Sequence, residues 1–266
     1  MKASIVMSVE PGYSTLGLGG DFEENARLIA ELGFDGAELH VDELKKIDTG
    51  WIREIAEQYG LTITGVGSGQ YYRKHNLGLS TNNEEIRKRT IDRVAQALQF
   101  ASELHSNIHI GAGQGTHDKT YEEGLCHLME SLRECAKIAQ ELGTRIDIEI
   151  CNRYLPAMIR TIDQGKRLVD AVGSPWVKLL ADTHHMNIEE RSLPESIRQA
   201  KGYIAYMHFS DSNRLAPGMG HIDYHAIAEA LRNIGYEGFC TAEFIPEPDP
   251  LSAAKQTIQL MRSLPY

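Results

Sequence analysis

The 266-residue chain is poor in the features that mark several large protein classes. Its four cysteines, Cys126, Cys135, Cys151 and Cys240, show no C-x-x-C spacing and are too sparse to staple a chain of this length, so a disulfide scaffold is excluded. A reducing, cytoplasmic setting is the expectation. No apolar run approaches the roughly 20 residues that a membrane helix needs. The apolar start, Ala3 to Val9, is short, holds two serines and stops at Glu10-Pro11, so it reads as a buried strand and not as a signal peptide. Positive charge is also scarce. Lys and Arg number 27 against 37 Asp and Glu, a formal net charge of −10, which argues against a phosphate-backbone binder. Proline- or serine-rich linkers and shifts of composition are missing too, and one domain spanning residues 1–266 is expected.

What is present is alternation. Short Ile- and Val-rich runs are predicted as strands at Ala3–Ser8, Gly36–Val41, Leu61–Gly67, Asn107–Gly111, Arg145–Ile150, Val177–Ala181, Ile204–Phe209 and Phe239–Phe244. Each is followed by a stretch with a 3.6-residue apolar repeat: Phe22–Leu32, Trp51–Tyr59, Glu84–Leu104, Tyr121–Leu142, Thr161–Val172, Pro194–Gln199, Tyr224–Ile234 and Leu251–Leu264. Several of these stop at Gly33, Gly60, Gly143, Gly173 or Gly235, as helices do where glycine takes the left-handed conformation. Eight strand-helix units in about 250 residues are the size of a (β/α)8 TIM barrel. A doubly wound sheet would more often show a glycine-rich nucleotide turn. The nearest candidate, Gly65-Val66-Gly67-Ser68-Gly69, lacks the G-x-G-x-x-G spacing.

A barrel carries its active site at the C-terminal ends of its strands, so polar residues there are the ones to question. Alternation in Ile146-Asp147-Ile148-Glu149-Ile150 puts Asp147 and Glu149 on the face opposite the three isoleucines, and Glu149 nearest the barrel mouth. Asp182 follows Val177–Ala181, His208 alternates with Met207 and Phe209, and Glu243 lies at the end of the eighth strand. Three carboxylates and an imidazole converging on one dry site repel unless a cation neutralises them. The oxygen-rich set with one histidine and no thiolate suits Mn²⁺, Mg²⁺ or Co²⁺ better than a structural zinc, and Mn²⁺ is the expectation. The bland alternative for any one of these acids is a solvated or salt-bridged residue, and Glu38, ending the second strand, could equally be a structural acid holding neighbouring backbone or a histidine.

Four segments carry a resemblance: Ile148-Glu149-Ile150-Cys151-Asn152-Arg153, Ala181-Asp182-Thr183-His184-His185-Met186-Asn187, His208-Phe209-Ser210-Asp211-Ser212-Asn213-Arg214 and Ala242-Glu243. They resemble the metal-site segments of the ketose 3-epimerases, which belong to the xylose isomerase-like TIM barrels. The Asp182–Glu190 and Ser212–His221 segments look nearest to a branch acting on keto sugars and keto-sugar acids. The resemblance implies Glu149, Asp182, His208 and Glu243 as ligands of one divalent ion. It implies Glu149 and Glu243 as the pair that moves a proton across the two faces of an enediolate, inverting C3, and His185 and Arg214 as substrate-binding groups. His184 faces the other way if His185 points in. Homodimers or homotetramers are implied as well. One departure stands out. The epimerases usually carry an acid shortly after the Asn-Arg-aromatic triplet, and here Asn152-Arg153-Tyr154 is followed by Leu155-Pro156.

Other readings remain open on the same scaffold. A dehydratase or lyase would expel a β-hydroxyl from the same enediolate, and a silent sugar-binding protein would do neither. An endonuclease IV-like enzyme would need a larger histidine-rich metal cluster and a DNA-facing surface, which the acidic balance disfavours. Arg73 and Lys74 could reach a charged group. The segment Tyr71–Asn82 and the loop Gly113–Lys119 are expected to form part of a lid, with Tyr71 and Tyr72 over a sugar or in an oligomer contact.

Overall fold

A computed structural model describes residues 1–10, 16–67 and 69–266. Ser68 of the glycine-rich run and Pro11 lie outside them. Eight parallel strands close into a barrel in chain order: β1 (Lys2–Ser8), β2 (Gly36–His40), β3 (Thr62–Gly67), β4 (Ile108–Ile110), β5 (Ile146–Ile150), β6 (Val177–Asp182), β7 (Ile204–Phe209) and β8 (Phe239–Ala242), with β8 pairing back onto β1. The helices are α1 (Phe22–Leu32), α2 (Thr49–Gln58), α3 (Gly69–Lys74), α4 (Glu84–Glu103), α5 (Tyr121–Leu142), α6 (Ile162–Val172), α7 (Thr183–Glu189), α8 (Leu193–Gln199), α9 (Tyr224–Asn233) and α10 (Pro250–Ser263). This is the (β/α)8 TIM barrel expected from the alternation. Among the described residues, no helix is long and apolar enough to cross a membrane.

The elements form for local reasons. In α5, the Thr120 side chain accepts from the backbone N–H of Glu123, and Gly143 ends the helix at φ 66°. Leu128, Leu132, Cys135, Ala136 and Ala139 recur on its inner face and are buried, at about 1.5–3 kcal/mol for each large apolar side chain. Along the strands, Ile5, Met7, Ala37, Leu39, Ile146, Ile148 and Ile150 point outward into this helix-facing core.

The opposite face of the sheet is polar. Near the floor of the barrel, the Tyr206 hydroxyl lies 2.6 Å from both Thr64 Oγ1 and Thr241 Oγ1, and Ser4 Oγ lies 2.9 Å from Thr64 Oγ1. Above it sit Glu38, His109 and Asp147, all buried. Glu38 is hydrogen-bonded to His208 and Asp147 to Arg145, without which burial of the two carboxylates would cost several kcal/mol. Two short helices, α3 and α7, were not anticipated. The first occupies part of the expected Tyr71–Asn82 loop. The second starts straight from the last residue of β6, leaving no turn for periodicity to detect.

Candidate metal centre

Asp182 closes β6 and caps α7 at once. Its Oδ1 accepts from the backbone N–H groups of His184 (2.7 Å) and His185 (3.1 Å), as aspartate at a helix start does. Oδ2 is thereby aimed at the barrel axis, where it lies 3.8 Å from His208 Nδ1. His208 enters from β7, with Met207 and Phe209 turned to the core. Glu149 enters from β5. Glu243 stands one residue beyond β8, its backbone N–H donating to Phe209 O at 3.0 Å, so the eighth strand is shorter than the expected Phe239–Phe244. Asp182 register-pairs with His208, and Thr183 Oγ1 donates to Ser210 O at 2.7 Å, which locks the ends of β6 and β7 together.

The four residues Glu149, Asp182, His208 and Glu243 thus meet at the C-terminal mouth, with one ligand atom from each lying within 4.8 Å of all the others. Whether a cation suits them is decided by His208. Its Nε2 lies 2.8 Å from Glu38 Oε2, and its buried Nδ1 has no hydrogen-bond partner while facing Glu243 (3.3 Å), Asp182 (3.8 Å) and Glu149 (3.9 Å). With Nε2 donating to a carboxylate, Nδ1 presents a lone pair to three carboxylates, a donor set for a divalent ion. Among the described residues two other groups are as compact: Glu38, His109 and His208, and Glu149, Cys151 and His185. They suit an ion less well. The first would have to use the His208 nitrogen already given to Glu38. In the second, burial and then the Glu149 charge push the Cys151 thiol well up, which keeps it protonated.

Electrostatics keep the acids ionised. Burial alone would raise Glu243, but the Arg214 guanidinium and His208 beside it bring it down. Burial likewise opposes ionisation of Glu149, and the neighbouring imidazoles of His185 and His208 outweigh it. For Asp182 the burial cost is offset chiefly by Arg214. His208 is driven the other way. Burial lowers its affinity for a proton, yet Glu38 and Glu243 lift it well above the ordinary imidazole value.

Arg214 sits in the loop after β7 with φ 65°, a left-handed conformation unusual for a non-glycine residue. The loop is wound around Asp211, whose carboxylate accepts from the backbone N–H groups of Ser212, Gly218 and Ile222. The Arg214 guanidinium donates to Asp182 Oδ2 at 2.6 Å and to Glu243 Oε2. His185 is buried. With the Asn152 amide donating to Nδ1 at 2.8 Å, its proton is on Nε2, which faces Glu149 Oε1 at 3.4 Å. His184 turns away, its Nδ1 lying 3.2 Å from Asp211 O. All six residues singled out from the sequence are therefore in one place.

A cavity opens over them, lined also by Leu16, Glu38, His40, Gly67, Gln70, Arg73, His109, Ala112 and Leu155. Leu155, the departure noted in the sequence, is on its wall. Tyr71 and Tyr72 are not. Tyr72 is buried against Gly113, where a Cβ would lie 3.1 Å from its ring, and Tyr71 stacks under Arg93 with 3.7 Å between guanidinium and ring centroid. Lys74 is also elsewhere, paired with Asp42 at 3.2 Å. The sequence reading missed His40, 3.6 Å from Glu243 Oε1, and His109, 3.1 Å from Glu38 Oε1. The alternation Ile108-His109-Ile110 carried the signal for the second, since it has the form that placed His208 inward.

The family described as xylose isomerase-like TIM barrel matches residues 26–264. The D-psicose 3-epimerase of Agrobacterium fabrum is 33% identical over 225 residues, covering 79% of this chain and 74% of that one. The 3-dehydro-D-guloside 4-epimerase of Escherichia coli is 26% identical over 251 residues, covering 90% and 94%. A solved structure of D-psicose 3-epimerase with D-tagatose from Clostridium cellulolyticum matches with a TM-score of 0.84 at 26% identity over 99% of each chain. With this breadth of similarity and this barrel, the chain belongs to the xylose isomerase-like TIM barrel family and, within it, to the ketose 3-epimerases.

Proposed function

We propose that the protein is a metal-dependent epimerase that inverts a carbon next to the carbonyl of a keto sugar or keto-sugar acid, C3 being the carbon inverted in a ketose. The observation that carries this reading is the pair Glu149 and Glu243, which approach His208 Nδ1 from β5 and β8, each with its own imidazole neighbour, His185 and His40 respectively. Two carboxyl groups on separate walls of one cavity, one as the carboxylate and the other carrying a proton taken up from water, are the equipment for removing a proton from one face and delivering one to the other.

Glu149, Asp182, His208 and Glu243 would hold the ion. When bound, a divalent cation supplies positive charge that makes the proton beside a carbonyl easier to remove. One carboxylate accepts that proton, and the carboxyl opposite gives up its own to the other face, so configuration inverts with no net gain or loss of protons. Arg214 and the Nε2–H of His185 donate toward oxygens on which negative charge develops. The buried surroundings strengthen these contacts by excluding water. Mn²⁺ is the ion proposed, from an oxygen-rich set with one imidazole that suits Mn²⁺, Mg²⁺ or Co²⁺ better than a structural zinc. The reading extends to a homodimer or homotetramer in the cytoplasm, on the strength of the family resemblance and the unpatterned cysteines.

The test is proton exchange in D₂O followed by NMR, with keto sugars and keto-sugar acids offered to metal-stripped and Mn²⁺-restored protein. Deuterium should enter beside the carbonyl only with metal, and Glu243→Gln should abolish it. Metal-independent exchange, or an unaffected variant, would overturn the mechanism. A product lighter by one water would replace epimerisation with dehydration.

A further inference from the structure

Of Arg73, Lys74 and Arg214, Arg73 has no ion pair among the described residues. It lies in the last turn of α3, a helix that is fixed from both sides: Tyr71 by the Arg93 guanidinium and by His75 (ring centroids 4.2 Å apart), and Tyr72 by its burial against the turn at Gly113. Its neighbour Lys74 is satisfied by Asp42. The Arg73 guanidinium, among the described residues, has no carboxylate within ion-pair distance, and it faces the cavity above the metal centre.

That cavity meets a second one. Arg73 and Ala112 line both, while Leu155 lines the first and its neighbour Pro156 the second, so Arg73 stands where the two join. The carboxylates lining the first cavity are Glu38, Glu149 and Glu243, each already beside a histidine or Arg214. With a divalent ion in place, the charges of Glu149, Asp182 and Glu243 are balanced by that ion and Arg214. Arg73 then adds a positive charge that no carboxylate among the described residues answers at ion-pair distance, and the position where the epimerases usually carry an acid holds Leu155.

We propose that Arg73 binds an anionic group of the substrate, a carboxylate or a phosphate, at the junction of the two cavities. The substrate class is then keto-sugar acids or keto-sugar phosphates in preference to neutral ketoses. The proposal rests on the epimerase reading for the identity of the reacting end and on Arg73 for the other. A guanidinium matches either anion with two parallel N–H donors, which a water-exposed lysine does not.

Binding of three unreactive probes tests it: D-glucitol, D-gluconate and D-glucitol 6-phosphate, titrated calorimetrically into Mn²⁺-loaded wild type and Arg73→Gln. The wild type should bind at least one anion about 10- to 100-fold more tightly than D-glucitol, the range expected for a charge-assisted pair. The favoured anion tells carboxylate from phosphate. In Arg73→Gln the preference should vanish, with the thermal midpoint unchanged because the side chain is exposed. Equal binding of all three probes by the wild type would overturn the proposal. So would a preference that survives in Arg73→Gln, since it would then come from the metal or Arg214. Deuterium exchange by the wild type reads the epimerase reaction separately. Exchange without an Arg73-dependent preference removes this proposal alone, and the preference without exchange removes the reaction while leaving the anion subsite.

Discussion

His208 Nε2 and Glu38 Oε2 lie 2.8 Å apart across the barrel although 170 residues separate them in sequence. Glu38 in turn stands 3.1 Å from His109, and His109 lies 3.7 Å from Asp147, which Arg145 grips with two nitrogens. The proposed ligand imidazole is thus the last member of a chain of polar side chains that begins at the foot of β5. Such a carboxylate fixes both the tautomer and the ring plane of a ligand histidine. Glu38→Gln should therefore weaken Mn²⁺ binding about 10- to 100-fold, the usual effect of losing such a partner. Competition against a chelator measures this without reference to turnover. An unchanged affinity would show that Glu38 serves only to fill the barrel.

This relationship also marks where the sequence ceased to be readable. Period-two alternation placed Glu149 and His208 inward, and the unbroken succession of strands and helices gave the barrel, because both depend only on local pattern. The pairing of Glu38 with His208 depends on closure of the barrel, which alternation does not encode. Gly65 and Gly67 looked like a degraded nucleotide turn for a similar reason. A Cβ on Gly65 would lie 2.0 Å from the His109 ring, and one on Gly67 2.9 Å from His40. These glycines make room for imidazoles, a need visible only once the strands are neighbours. Tyr71 and Tyr72 looked available for a sugar because the short helix that buries Tyr72 has too few residues to show a period.

Gly111 offers a steric test of the centre. A Cβ there would fall 2.0 Å from Glu149 Oε2 and 3.3 Å from Cys151 Sγ, so the Glu149 carboxylate, which lines the cavity, would have to swing from its place 3.4 Å from His185. Gly111→Ala should cost about 1–3 kcal/mol of stability, as overpacking does. Its effect on function should be much larger. Mn²⁺ affinity and deuterium exchange are expected to fall together while circular dichroism stays that of the wild type. Retention of both would mean that Glu149 does not need its present position.

Stability of the metal-free protein should depend on pH in a defined window. Glu38 and Glu243 have carboxyl groups held below their ordinary value of 4.5 when folded: burial opposes ionisation, but His208 and His109 at Glu38, and Arg214 and His208 at Glu243, prevail. Their contribution is complete above 4.5 and lost as pH falls through the folded values. His208 and His185 are raised above 6.5, because Glu38 and Glu243, and Asp182 and Glu149, outweigh the burial of each ring. Their contribution is complete below 6.5 and fades as pH climbs to the folded values. The thermal midpoint should therefore be highest between these two limits. Adding Mn²⁺ should move that optimum upward, since the ion competes with the proton for His208. Midpoints recorded from pH 3 to 9 with and without metal decide it, and an optimum that ignores the ion would contradict the ligand assignment.

Leu155 is the position from which specificity should be reversible. It lies on the cavity wall in the segment that follows Asn152, held there by its own N–H to Asn152 O at 3.1 Å, so a longer side chain would extend into the same space as the substrate. Leu155→Glu adds an acceptor for a neutral hydroxyl and a negative charge in the cavity that Arg73 shares. Both effects favour neutral ketoses, the first by satisfying a polar group and the second by repelling an anion. The ratio of kcat/KM for neutral over anionic substrates should rise about tenfold or more, equivalent to the worth of one charged hydrogen bond. The change should appear mainly as a higher KM for the anion, because the carboxylates proposed to move the proton are untouched. A fall in kcat for both substrates alike would instead place Leu155 with the packing that supports Asn152 and His185, and would separate the loss of the acid from the choice of substrate.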